Sequence, residues 1–438
     1  MNKKKLVGIV SIIIVLSILV GVGIFVLSEH KTSQIKDKLD LGEKYLEELE
    51  YEKALAYFME VLEIDPKNVD AYIGIVDTYV AMGDYEKALE YAKRGYEETG
   101  EVKLQEKLKE VFECREITKG SSEELLIQGD YVIEWIDSNL EKRMREVTQI
   151  YDRDILYSDV KDITNLDLSM GWETADTDKI KNISALSNMK NLKYLNLDRN
   201  IVSDISNLSA LTNLETLYLD NNNITDINSI SELIKLEDLV LSRNNIIDIS
   251  ALKDLINIRN LNLDYNKVID ISVLEGLANL TTLSLGYNRE ISDFSVLGKL
   301  TNLRELTLRH NMIGDISMLG SLTNLTYLDL YSNGIKDISI LGNLTQLTYL
   351  DLGFNSMIDD ISILENLTNL TSLSLYFTGI SDINVLENLG SLSWLELGAT
   401  NISDISVLAN LTNLQTLGLQ DTAIDDYSSV SFVSDLRY

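Results

Sequence analysis

A spacing of 22 residues governs almost two-thirds of this 438-residue chain. The pattern L-x-x-L-x-L-x-x-N-x-I-x-D-I-S opens at Leu192, Leu214, Leu236, Ile258, Leu280, Leu303, Leu325, Leu347, Leu370, Leu392 and Leu414, with single insertions before Leu303 and Leu370. A degenerate earlier copy begins at Ile163 and carries a seven-residue insertion around Gly171–Asp178. The alternation L-x-L demands a short strand with one face buried. One such unit cannot bury that face alone, so copies must stack into a curved solenoid of α/β class with a parallel sheet on its concave side. Asn200, Asn222, Asn244, Asn266, Asn288, Asn311, Asn333 and Asn355 recur at one position and should form a buried ladder, each amide bonding the turning backbone around it. Thr378, Thr400 and Thr422 replace them at the end, where a hydroxyl offers fewer bonds and a looser structure is expected. The recurring acids Asp204, Asp248, Asp270, Asp315 and Asp337 should cap short helical turns on the convex side.

This pattern resembles the bacterial internalin-type leucine-rich repeat. The resemblance implies a horseshoe of about twelve repeats over 161–438, preceded by a linker and helical cap over 119–160. Ile136–Glu146 reads as that cap helix, with Asp137 or Ser138 as its N-cap. At the other end Leu436 lies 22 residues after Leu414, where a thirteenth strand would open, and the sequence ends at Tyr438. The last coil is therefore expected to be frayed or covered by a partner, a second copy being one candidate.

A second period, of 34 residues, lies nearer the N-terminus. Tyr51–Tyr57 (YEKALAY) recurs as Tyr85–Tyr91 (YEKALEY), and Tyr45 recurs as Tyr79. The spacing resembles the tetratricopeptide repeat, whose small, aromatic and terminal proline positions are filled by Gly42, Tyr45, Ala54, Phe58 and Pro66. In the second copy Ala92 replaces the large aromatic and Gly100 the proline. The expectation is an all-α array over 39–118, closed by a helix across Lys103–Glu116 and serving as spacer or oligomerisation unit.

Ahead of this array, Lys3, Lys4 and Lys5 precede 22 uncharged residues, Leu6 to Leu27. As a helix that run measures about 33 Å, enough for a hydrocarbon core of about 30 Å. A cleaved signal peptide would have a shorter apolar stretch, and Val26-Leu27-Ser28 fits a cleavage site weakly. A lipoprotein would need a cysteine just beyond, where none stands. Residues 1–28 are therefore expected to form a cytoplasmic stub and a single transmembrane anchor, with the repeats outside the cytoplasm at the bacterial cell surface.

Charge and rare residues narrow the function. With 38 Lys+Arg against 69 Asp+Glu the net charge is −31, which opposes nucleic acid as a partner. One cysteine, Cys114, precludes an internal disulfide, and two histidines leave little for a His-based site. No cofactor is expected and no enzymatic activity. His310 beside Ser332 is the nearest approach to a nucleophile–base pair, without an acid to orient it. Asp198 and Asp220, with Asn221, offer oxygens to calcium but read better as a solvated acidic face.

The concave face holds the better candidates. Residues between the strand leucines are mainly polar before about residue 270, and from residue 327 they turn aromatic: Tyr327, Tyr331, Tyr349, Phe354, Tyr376, Phe377 and Trp394. Exposed Tyr, Trp and Phe are enriched in interface hot spots. These seven residues are the expected ligand-binding site of a membrane-anchored interaction scaffold. A protein ligand is the first expectation, with a glycan or self-association as alternatives; rings that merely pack the sheet are the bland reading.

Overall fold

A computed structural model of the chain describes residues 31–114 and 130–438. The expected anchor, Leu6–Leu27, and much of the expected linker lie outside the described residues. Among the described residues no helix is long and apolar enough to cross a membrane. The chain divides into two compact units, 1–131 and 132–438.

The first unit is a run of antiparallel helices: α1 (31–47), α2 (Tyr51–Ile64), α3 (Val69–Ala81), α4 (Tyr85–Thr99) and α5 (Val102–Cys114). Its small residues sit where helices touch. A Cβ on Gly42 or Gly74 would lie 2.6 or 2.4 Å from the Phe58 ring, so glycine at both places lets one phenylalanine fill the crossing. The 34-residue period reappears as geometry: Tyr45 stacks on Tyr57 at 5.5 Å and Tyr79 on Tyr91 at 5.6 Å. Asn68 and Asp84 cap α3 and α4, and left-handed Gly100 (φ 72°) ends α4 where the first copy has proline. Helix α5 buries Leu104, Leu108 and Val111, closing the array as the sequence implies.

The second unit is a solenoid. Thirteen three-residue strands, β1 (Asn165–Asp167) to β13 (Asp435–Arg437), form one parallel sheet in chain order. The register pairs leucine with leucine, as in Leu195↔Leu217 and Leu350↔Leu373. Each strand therefore sends its central leucine into the core and its flanking residues to the concave face. The return path contains a 3-10 turn such as Ser206–Ala210, whose first N–H donates to the preceding aspartate: Ser206 to Asp204, Ser250 to Asp248, Ser339 to Asp337. Those backbone bonds hold the carboxyls below their ordinary range.

The ladder is present and three-way. Asn266 donates to the Leu241 and Leu263 carbonyls, one in the previous repeat and one in its own, and accepts from Ile246 N–H. Thr378, Thr400 and Thr422 each donate only to a carbonyl of their own repeat: Leu375, Leu397 and Leu419.

The two ends differ. At the first, helix Ser138–Thr148 covers the core with Leu140 and Met144. Asp137 is its N-cap: one oxygen accepts from Asn139 and Leu140 N–H, the other from Lys181 and Asn182 N–H in the first coil. Burial alone would push this carboxyl up, but the four N–H groups hold it below its usual value. At the other end the expectation of a frayed coil is corrected. The last step is 19 residues, not 22, so Leu436 pairs with Leu417, the second leucine of the pattern, and Val433 takes the place of the first. Strand β13 is paired through Leu419 N–H to Arg437 O and Asp435 N–H to Gln415 O.

Candidate binding surface

The residue before each ladder position is left-handed: Arg199, Asn221, Arg243, Tyr265, Tyr287, His310, Ser332, Phe354, Phe377, Ala399 and Asp421 have φ between 52° and 60°. Such φ is uncommon for bulky residues. Here it is over-determined, because each of these N–H groups from Arg199 to Ala399 bonds a carbonyl of the next repeat, as in Tyr287 to Arg309 and Phe354 to Tyr376. The reversal ends each strand and leaves these side chains in file along one rim of the concave face.

That file is a continuous aromatic ridge. Ring centroids step from Tyr265 to Tyr287 (3.9 Å), His310 (4.2 Å), Tyr331 (5.2 Å), Phe354 (5.0 Å) and Phe377 (4.9 Å), with Tyr376 beside Phe354 at 5.4 Å. Where the file has Ser332, Tyr331 supplies the ring from one residue earlier. Glycine makes this feasible, since a Cβ on Gly353 would lie 2.9 Å from the Tyr331 ring. Phe354 and Phe377 remain 40% and 45% exposed. Toward the first repeats the ridge continues through cations: the Arg243 guanidinium lies 5.1 Å over Tyr265 and 5.8 Å from Trp172, and Arg199 lies 5.2 Å over Trp172. Trp172 comes from the seven-residue insertion.

Of the seven expected site residues, the structure brings four together here: Tyr331, Phe354, Tyr376 and Phe377. Tyr327 and Tyr349 form a separate stack, 4.1 Å apart, at the opposite end of β8 (Tyr327–Asp329) and β9 (Tyr349–Asp351). Trp394 stands beyond Ser372 and stacks on no ring among the described residues. The expected single cluster is thus corrected to a ridge, a pair and an isolated ring. Sequence reasoning missed Tyr287, Arg243 and Trp172, and it read His310 only as a weak catalytic candidate. Adding 22 to Tyr265 and following the column through both insertions would have found Tyr287, His310, Phe354 and Phe377, though not Tyr331 or Trp172.

Between ridge and pair, the sheet floor is acidic. Asp329 is 1% exposed; Arg309 donates to it at 2.6 Å, and Tyr331 N–H donates to its other oxygen. Asp351, 8% exposed, accepts from Gly353 N–H at 2.8 Å. Burial and the neighbouring Asp329 push its carboxyl up. Burial pushes Asp264 up to about 6, against the pull of Gly286 N–H and Arg309. Glu396 is likewise raised by burial.

His310, Asp198 and Asp220 are each engaged by neighbouring residues. Burial and the Arg289 and Arg309 charges lower His310, whose ring packs between Tyr287 and Tyr331, and no hydrogen bond joins it to Ser332 among the described residues. Asp198 accepts from Asp220 N–H, while Asp220 accepts from the Ser242 hydroxyl and Arg243. Among the described residues no group of three His, Cys, Asp or Glu is placed to hold a metal.

A model of paired leucine-rich repeats matches residues 212–254, 256–299, 301–343, 323–364 and 345–388. The crystal structure of an internalin (inlF) from Listeria monocytogenes is 33% identical over 69% of this chain and 95% of that one, with a TM-score of 0.62. The chain belongs to the internalin-like leucine-rich repeat proteins. A leucine-rich repeat protein of Leptospira interrogans shares the fold at 20% identity, covering 64% of this chain and 85% of that one with a TM-score of 0.55. No curated protein matches the chain significantly. Residues 45–101 match the tetratricopeptide repeat, an addition to this internalin-like domain within the same chain. The solenoid is a binding scaffold, its long concave sheet being the surface such stacks present.

Proposed function

We propose that this protein is a membrane-tethered capture scaffold that binds a protein ligand along the aromatic ridge of its concave face. The carrying observation is the continuity of the ridge: six rings from Tyr265 to Phe377, each within about a ring's width of the next, with its last members nearly half exposed. A packing role alone would favour burial of these rings, and exposed contiguous apolar surface of this kind marks an interface. Phe354 and Phe377 are the expected hot spots, with Tyr331, Tyr376, Tyr287 and His310 as the surrounding contact. A glycan finds less here, because Tyr327 and Tyr349 stack on each other and, among the described residues, Trp394 is the one unstacked ring of the seven expected site residues.

Capture by the full chain in mild detergent, from an extract of surface proteins, tests this reading. Phe354→Ala with Phe377→Ala should abolish capture at an unchanged melting temperature, while Lys299→Ala on a convex turn leaves it intact. Undiminished capture by the double variant would overturn the ridge as the site, and competition by soluble polysaccharide would move the ligand class to glycans.

The tether is the uncharged run Leu6–Leu27 behind Lys3–Lys5, with the helical array following it along the chain as a spacer. A membrane-impermeant maleimide on intact cells carrying Cys114→Ser and Ser121→Cys should label before lysis. Labelling only after lysis would place the repeats on the inner side.

A further inference from the structure

The floor beside the ridge is short of positive charge. Asp264, Asp329, Asp351 and Glu396 occupy it, and Arg309, the cation reaching among them, is committed to Asp329. Asp351 is satisfied by Gly353 N–H and the Ser374 side chain, and Glu396 by Gly398 N–H, all uncharged donors. Arg437, whose charge acts on Glu396, is bound to Asp435. Among the described residues no ion pair reaches Asp264, Asp351 or Glu396. Carboxylates desolvated without a counter-ion are a standing cost, which an arriving cation relieves. The walls favour one: Tyr349 and Trp394 stand on the same strands as Asp351 and Glu396, and a ring face attracts ammonium or guanidinium, as the Arg309 guanidinium already lies 5.9 Å over Tyr331. The Arg199 and Arg243 end of the ridge has no such shortage, since Trp172, Tyr265 and Asp220 already cover its cations.

We propose that the ligand presents a cationic segment to this floor, its lysine or arginine side chains entering between the aromatic walls to meet Glu396 and Asp351. The inference rests on the concave face being the binding face and specifies the chemistry of what binds there. Charge selects among occupants. A second copy of this chain carries the same −31 and would set acid against acid, and nucleic acid is opposed for the same reason.

A fluorescent peptide of alternating lysine and serine, with its glutamate–serine counterpart, tests this on the full chain in detergent. Asp351→Asn with Glu396→Gln keeps the acceptors for Gly353 and Gly398 N–H, so the fold should survive; Glu396→Gln alone serves if it does not. The control, Asp248→Asn with Asp270→Asn, removes the same charge from convex turns while keeping the acceptors for Ser250 and Ser272 N–H. The lysine peptide should bind and the glutamate peptide should not. The concave pair should weaken binding by about tenfold and the convex pair by less than about twofold. Equal weakening by both pairs means the peptide reads only overall charge, and the proposal fails. The capture experiment separates the two claims. Capture lost on Phe354→Ala with Phe377→Ala yet untouched by the concave pair keeps the face and overturns its cationic specificity. Capture untouched by either pair overturns both.

Discussion

Asn266 and Thr400 hold the same place in coils six steps apart, between leucines buried equally well. Leu263 and Leu397 are both fully buried, as are Leu241 and Leu375 one repeat earlier. Strand register and the left-handed residue before the ladder are also common to both regions. Only the side-chain ladder differs. Asn266 ties its repeat to the previous one through Leu241 O and Ile246 N–H, while Thr400 reaches no farther than Leu397 O in its own. Leucine packing and parallel pairing are therefore sufficient to dictate the coil, and the asparagine adds coupling between coils. In a stack stabilised by nearest neighbours, coupling sets how far unfolding spreads. The ridge straddles the change: Tyr265 to Phe354 stand on asparagine coils and Phe377 on the first threonine coil. The exposed end of the binding surface thus lies on the more weakly coupled end of the scaffold, where adjustment to a ligand costs least.

The largest test is Asn266→Ala. It removes three buried hydrogen bonds, at ~1 kcal/mol each, and leaves the Ile246 N–H without an acceptor, while the Leu241 and Leu263 carbonyls keep Asn244 and Asn288 as donors. A loss of about 3 kcal/mol or more in urea unfolding is expected. A shift below about 1 kcal/mol would mean the coupling resides in the leucines after all.

Asp264→Asn should act in the opposite direction within the same asparagine region. The folded carboxyl titrates at about 6 against an ordinary 3.8, so folding favours its protonated form. That advantage is complete below the unfolded value and disappears as pH rises through 6. Asparagine keeps an acceptor for Gly286 N–H without the charge. The variant should match the wild type below the unfolded value, gain as pH rises toward 6, and level off about 3 kcal/mol more stable. A pH-independent difference would show that burial of this charge is not what separates them.

How much of this was legible beforehand follows from what each feature depends on. The coils, the ladder, the convex aspartate turns and the Asp137 cap were readable because each uses one residue type at a fixed spacing. The last coil was misread because a three-residue deletion leaves Leu436 at the expected distance from the wrong leucine. The ridge was only half read for a different reason. Tyr331 fills the gap at Ser332 from a neighbouring column, and Trp172 arrives from an insertion, so neither follows from counting. Which acids are buried, and that Arg309 serves Asp329 first, depends on long side chains crossing glycines such as Gly286, where a Cβ would lie 2.8 Å from Arg309 Cγ.

The capped end offers a smaller effect. Asp137→Ala removes the acceptor for four N–H groups, two in the cap helix and two in the first coil, and should cost about 1–2 kcal/mol. Because its folded carboxyl lies below the unfolded value, this contribution is present above the ordinary carboxylate range and lost as pH falls through the folded value. Hydrogen exchange should quicken in β1 and β2 (Tyr194–Asn196) and not in β12 (Thr416–Gly418). Uniform quickening would mean that the whole stack opens as one unit.

The smallest change bears most directly on the comparison. Thr400→Ala removes one hydrogen bond within one repeat, and about 1 kcal/mol should be lost. Thr400→Asn asks whether the missing rung can be rebuilt. Ile380 N–H, the counterpart of the Ile246 N–H that Asn266 accepts, is buried and has no acceptor among the described residues, and Leu375 O stands where Leu241 O does in the intact rung. An asparagine at 400 should meet both, recovering about 1 kcal/mol and slowing exchange in β10 (Ser372–Ser374) and β11 (Trp394–Glu396) together. If stability rises while the Lys-peptide or ligand affinity falls, the weak coupling under Phe377 and Trp394 is part of how the surface accommodates its partner. If affinity holds, the threonines reflect only a tolerance for looser coils toward this end of the sheet.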